Sequence, residues 1–215
     1  MARRIIGLLR ASHFGPNLLV TFISLFFAQL YWWEGPAFVI AFTVALGQLV
    51  VGWSNDLYDY EDDLRHDRQS KPLIAKTISK ETLRKWMRFM VPFSFITNLL
   101  GPLGIKGGLV YMFGIACGIA YNFYFKFSPL SPLPYAIAFA ALPSSIAISK
   151  EITPPTWMWL GGALFGMAAH FINVIKDMKE DQVSQIRGLP QILGTKKSIL
   201  VALILILLGI SLIYN

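Results

Sequence analysis

The chain has 215 residues, of which 55% are hydrophobic and 14% charged, with a mean hydropathy of +0.55 and a formal net charge of +7. Soluble globular domains carry about 25% charged residues, so this composition excludes a soluble fold and points to the membrane. The basic residues lie between long apolar runs, which argues for orientation in a bilayer and against a nucleic-acid partner.

A helix needs about 20 mostly apolar residues to cross a bilayer. Seven runs approach that length, at 14–33, 35–54, 87–105, 107–125, 133–149, 156–175 and 198–214. The segment before the first, MARRIIGLLRASHFGPN, is basic, but no small-residue cleavage site follows a short apolar core, so no removable signal peptide is expected. The third run has no sharp start after Lys85, and the fifth is short and rich in Pro and Ser. The lone Cys117 lies inside the fourth run and reads as helix packing, because one cysteine builds neither a disulfide framework nor a metal cluster. Backbone groups in lipid must be satisfied within the segment, so these runs are expected to be helices. They are too long and continuous for the alternating strands of a membrane barrel. The expected fold is an all-α polytopic bundle of about seven transmembrane helices, with residues 1–215 forming one membrane domain.

The longest polar connections are 56–86 and 176–197. With the N-terminus placed in the cytoplasm, all Lys and Arg except Lys106 and Lys150 fall on the inner side. That is a strong positive-inside bias. Both polar segments then face the cytoplasm, in a multi-pass protein expected in the plasma membrane.

Each polar segment begins with an acidic motif. The end of the second run reads WSNDLYDYEDD, with Asn55, Asp56, Asp59 and Asp63. The end of the sixth reads INVIKDMKED, with Asn173, Asp177 and Asp181. Both fit N-x3-D-x3-D. Steps of four drift only about 40° around a helix, so each motif forms a carboxylate ridge if helix continues through it. Such ridges are costly. A helix C-terminus carries partial negative charge, carboxylates four apart repel, and ionisable groups at membrane depth tend to be functional. A divalent cation relieves all three costs. Hard oxygen ligands suit Mg²⁺, which takes one or two carboxylates plus substrate phosphates. Arg65, Arg68 and Lys71 follow the first ridge and Arg187 the second, where cations can meet the remaining charge of a diphosphate. Lys76, Lys80, Arg84, Lys85 and Arg88 read as ordinary loop charge. His13, Asn17, Gln48 and His170 lie in or beside helices. They read either as interhelical hydrogen-bonding groups or as contacts to an acceptor or diphosphate.

These residues resemble the UbiA superfamily of intramembrane prenyltransferases. Its first motif, N-D-x2-D-x3-D, stands here as Asn55, Asp56, Asp59 and Asp63. A basic-Pro stretch follows as Lys71-Pro72-Leu73, with Ala75-Lys76 where the family commonly has glycine. The second motif matches Asn173, Asp177 and Asp181, and Leu189, Pro190 and Gly194 trail it. Tyr121 and Lys126 resemble the family's Tyr and Lys after its fourth helix, with Asn122 in place of a common Ser.

The resemblance implies transfer of a prenyl group from an isoprenyl diphosphate to an acceptor. Asp59, Asp63, Asp177 and Asp181, aided by Asn55 and Asn173, would hold Mg²⁺. Asp56 and Arg187 would join the diphosphate site, and Arg68, Lys71 and Lys126 would take up phosphate charge. Tyr121, with Tyr124 and Phe125 nearby, would face an allylic cation. The family usually has nine helices and this chain about seven, which implies a short member, a truncated sequence or completion by a partner. The rival CDP-alcohol phosphotransferases need a D-G-x2-A-R signature that is absent. A transporter or inactive scaffold is the remaining alternative, although acids cluster at the inner edge and not mid-membrane.

Overall fold

The computed structural model describes residues 2–214, with side chains from Arg4 onward. Arg3, counted above among the inner basic residues, has its side chain outside the described residues. The chain runs through α1 (Ala2–Ala11), α2 (Phe14–Gln29), α3 (Glu34–Arg65), α4 (Lys80–Leu100), α5 (Gly104–Phe123), α6 (Pro132–Ile148), α7 (Thr156–Val183), α8 (Leu189–Leu193) and α9 (Thr195–Tyr214). A single 3-10 turn, Phe125–Phe127, follows α5. No strand occurs among the described residues. Each of the seven apolar runs holds one long helix, and α1 and α8 are short additions.

Four helices are long and apolar enough to span a bilayer on their own: α3, α5, α7 and α9. The pair α1 and α2 makes a fifth candidate if counted together, bent by 69° at residues 12–13. The two runs without sharp sequence limits fall short for visible reasons. α4 opens on the charged turn KETLRK and contains Pro92. α6 has 17 residues and carries Pro132, Pro134 and Pro143.

α3 and α7 continue well past their apolar runs, because neither DLYDYEDDLR nor KDMKEDQV contains a Gly or Pro to stop them. With 32 residues, α3 is about 48 Å long, against a hydrocarbon core of about 30 Å, so it is longer than such a core is thick. Both acidic motifs are therefore helical throughout.

The chain divides into two compact units, Met1–Ile105 and Lys106–Asn215. In the first, α3 packs on α2 and α4, with α1 laid beside Trp53 of α3. In the second, α7 packs on α6 and α9, and α8 bridges α7 and α9. There Ala168, Phe171 and Ala202 form a core joined by Leu189, Leu193, Val201 and Leu205. Large apolar side chains such as Phe22, Phe26, Phe42, Phe113, Leu203 and Leu207 point outward. That suits lipid, where contact between helices has no hydrophobic driving force of its own.

Candidate functional site

The first ridge is held by a network built from three segments. On α3, the Asn55 amide nitrogen donates to Asp59 Oδ2 at 2.9 Å. The following turn, 66–79, is folded back onto the helix. The Arg68 backbone N–H donates to the Asp63 carbonyl at 3.0 Å, and Pro72, Leu73, Ile74 and Ile78 are buried. This fold-back brings the Arg68 guanidinium to 2.7 Å from Asp63 Oδ1 and the Lys71 ammonium to 2.9 Å from Asp56 Oδ1. Both carboxylates are 2% exposed. The third segment is the α1–α2 hinge. His13 Nε2 lies 3.1 Å from Asn55 Oδ1 and 3.3 Å from Asp56 Oδ1.

Burial pushes the Lys71 ammonium toward a lower pKa, but Asp56, Asp63 and Asp59 together outweigh it and hold the group above the ordinary lysine value. It is therefore a cation at any physiological pH. Lys80, read as loop charge, bonds Glu61 at 2.8 Å and covers the Tyr60 ring, outside the network. Lys76 explains one departure from the family pattern. Its backbone is left-handed, with φ 53°, the conformation glycine adopts most easily.

The donor set of the ridge suits a hard cation. It offers one amide oxygen and the carboxylates of Asp56, Asp59 and Asp63, and Asp56 Oδ2 is buried with no hydrogen-bond partner. Among the described residues, no three acidic, His or Cys side chains converge tightly enough to cage a metal alone. Mg²⁺ does not need such a cage, since it commonly takes one or two carboxylates and completes its shell with water and phosphate oxygens.

In the second unit the ridge is more open. Asp177 is exposed, and half-buried Asp181 accepts from Gln191 of α8 at 2.7 Å. Asn173 hydrogen-bonds the Tyr135 hydroxyl. Arg187 is exposed in the turn before α8, and no ion pair joins it to the ridge among the described residues. One turn before Asn173, His170 is 1% exposed and sits in an aromatic nest. Its ring centroid is 4.7 Å from Tyr135 and 5.4 Å from Tyr121. Tyr121 and Tyr135 themselves meet edge-on at 5.1 Å. Of the three aromatic residues expected near the cation, only Tyr121 joins this nest. Tyr124 is exposed beyond the helix end. Lys126 is buried in the 3-10 turn, 5.2 Å from the Phe127 ring centroid.

Ser131 ties the loop after the second ridge to this nest. Its hydroxyl oxygen is 3.0 Å from His170 Nε2 and accepts from the Leu189 N–H, also at 3.0 Å. Tyr135, Ser131 and Gln191 were not among the expected site residues. Ser and Gln are common polar residues with no spacing to mark them, and Tyr135 lies in a largely apolar, proline-containing helix with no motif around it.

The family model described as the UbiA prenyltransferase family matches residues 17–214. The chain belongs to that family. A curated relative, a lycopene elongase/hydratase of Corynebacterium glutamicum, is 24% identical over 195 residues, covering 86% of this chain. The chain spans 65% of the length of that relative. A solved UbiA homolog from Archaeoglobus fulgidus bound to GPP and Mg²⁺ matches with a TM-score of 0.78 and 17% identity, over 96% of this chain and 76% of that one. A structure of digeranylgeranylglyceryl phosphate synthase matches at 0.74 and 17% identity, over 97% of this chain and 76% of that one. These likenesses show a shared fold. As a UbiA-family chain with several long apolar helices, the protein is an integral membrane protein. The matched span, residues 17–214, includes both acidic motifs.

Proposed function

We propose that this UbiA-family protein transfers a prenyl group from an isoprenyl diphosphate to an acceptor within the membrane, using Mg²⁺. We take residues 1–215 to work as one membrane-embedded domain, in the plasma membrane, with the N-terminus and both ridges cytoplasmic. The observation that carries the reading is the recurrence of an N-x3-D-x3-D ridge, helical throughout, on the projecting ends of α3 and α7.

Asn55, Asp59 and Asp63 on one ridge, and Asn173, Asp177 and Asp181 on the other, are the residues that would hold Mg²⁺. Bound Mg²⁺ would supply Lewis-acid neutralisation of the diphosphate and make it a good leaving group. Arg68 and Lys71 already rest on Asp63 and Asp56. Arg68 would turn toward phosphate oxygens once a cation takes over Asp63, and Lys71 would add its charge beside it. Lys126 and Arg187 would add positive charge, and Asp56 would keep Lys71 in position. As the C–O bond breaks, its electron pair leaves with the diphosphate, and positive charge develops on the allylic carbon. The faces of Tyr121 and Tyr135 are suited to meet that charge. The acceptor then bonds to the allylic carbon and releases a proton. The GPP and Mg²⁺ bound by the Archaeoglobus homolog support this donor class.

The test uses purified protein, Mg²⁺ and radiolabelled farnesyl or geranylgeranyl diphosphate, beside an Asp59→Ala, Asp177→Ala double variant. Mg²⁺-dependent retention or cleavage of donor that the variant loses is the expected result. Equal behaviour of the two proteins at every donor length would sink the proposal and favour a scaffold.

A further inference from the structure

The hinge between α1 and α2 is built against the first ridge in an unusual way. His13 has left-handed backbone angles, φ 53° and ψ 57°, outside the range most side chains adopt. Its predecessor Ser12 rests directly on Gly52 of α3. A Cβ at Gly52 would lie 2.5 Å from the Ser12 carbonyl oxygen, so only glycine lets the hinge approach this closely. The indole N–H of Trp53 donates to the Leu8 carbonyl at 2.9 Å, an oxygen that also accepts from the Ser12 N–H at 3.1 Å, which ties the hinge to α3. Gly52, Asn55 and Asp56 are spaced i, i+3 and i+4, so they share one face of α3. A hinge seated on Gly52 therefore delivers His13 one turn further on, at the head of the motif.

We propose that His13 is a positioning residue for metal binding at the first ridge, a role that rests on the function proposed above. Its Nε2 faces two oxygen acceptors, Asn55 Oδ1 and Asp56 Oδ1, and so carries the hydrogen. Asn55 presents its amide oxygen to His13 and its amide nitrogen to Asp59. Flipping the amide would set N–H against N–H on one side and oxygen against oxygen on the other. His13 and Asp59 thus lock one orientation. Such outer partners orient the groups that bind metal, and losing them typically lowers metal affinity about 10- to 100-fold.

The test is Mn²⁺ binding to the detergent-purified chain, read from the free-ion EPR signal, since Mn²⁺ shares the oxygen preference of Mg²⁺. The variants are Asp59→Ala, His13→Leu and His13→Gln, each checked for an unchanged melting temperature. Leu and Gln suffer the same left-handed strain, and of the two only Gln carries a donor N–H. The expected result is loss of binding in Asp59→Ala, about 10- to 100-fold weaker binding in His13→Leu, and near-native binding in His13→Gln. Native-like binding in His13→Leu, with Asp59→Ala defective, overturns the role of His13 and leaves the function standing. Equal weakening in Leu and Gln also overturns it, since the hinge packing and not the N–H would be responsible. No Mn²⁺ uptake by the native chain, or none lost in Asp59→Ala, overturns the metal reading itself.

Discussion

Asp56 is 2% exposed, and its carboxylate rests on Lys71 at 2.9 Å, with His13 Nε2 at 3.3 Å. Breaking a buried ion pair by removing one partner leaves an uncompensated charge and typically costs 3–5 kcal/mol. Lys71→Met is therefore expected to destabilise the chain by about 3 kcal/mol in a thermal melt in detergent, and Asp56→Asn, Lys71→Met to recover part of that loss. The same pair sets a pH limit. The folded pKa of Lys71 is raised above 10.5, so its stabilisation is complete below that pH and is lost as pH rises further, through the folded value. A melt series across that alkaline range should fall more steeply for the native chain than for Lys71→Met. In the second unit, Ser131→Ala would leave the Leu189 N–H and His170 Nε2 without their shared partner. The expected cost is about 1–3 kcal/mol, read as a lowered melting temperature, with α8 becoming open to proteolysis.

At the scale of the element, close approach between helices rests on small residues. Gly162 and Gly166 of α7 face α6, and a Cβ at Gly166 would lie 2.4 Å from the Tyr135 carbonyl oxygen and 2.6 Å from Phe139 Cβ. This is the small-xxx-small packing of membrane helices. Gly166→Leu has backbone and not a flexible side chain in its way, so it should cost at least about 1–3 kcal/mol. It should also displace Tyr135 from His170, which a change in tyrosine fluorescence would report. Lys76 offers the opposite sign. Its left-handed backbone predicts that Lys76→Gly is neutral or stabilising by up to about 1 kcal/mol in the same melt. The glycine common at this place in the family is thus a matter of backbone shape, which Lys76 tolerates.

At the scale of the whole molecule, the distribution of basic residues sets the proposed topology. Gln69 lies in the turn after the first ridge, and Lys150 follows α6 on the opposite side of the membrane under that topology. With Cys117 replaced by Ala, Lys150→Cys should react with an impermeant maleimide on intact cells, and Gln69→Cys only after permeabilisation. Reaction of Gln69→Cys on intact cells would reverse the orientation.

The number and place of the long helices were legible in the sequence, because apolar runs of spanning length have few other stable forms in lipid. So were the two ridges, since a four-residue repeat lies on one helical face wherever the helix continues. Charge at the edge of the apolar runs sets Asp59, Asp63, Asp177 and Asp181 apart in the sequence itself. Tertiary contacts decided the rest. That Arg68 meets Asp63 and Lys71 meets Asp56 depends on how the 66–79 turn folds back. That His13 reaches Asn55, 42 residues away, depends on a glycine notch and a left-handed hinge. Ser131, Tyr135 and Gln191 join the second site only through the packing of α6 and α8 against α7. Periodicity along one helix reports which residues share a face, but a partner brought in from another segment leaves no period to read.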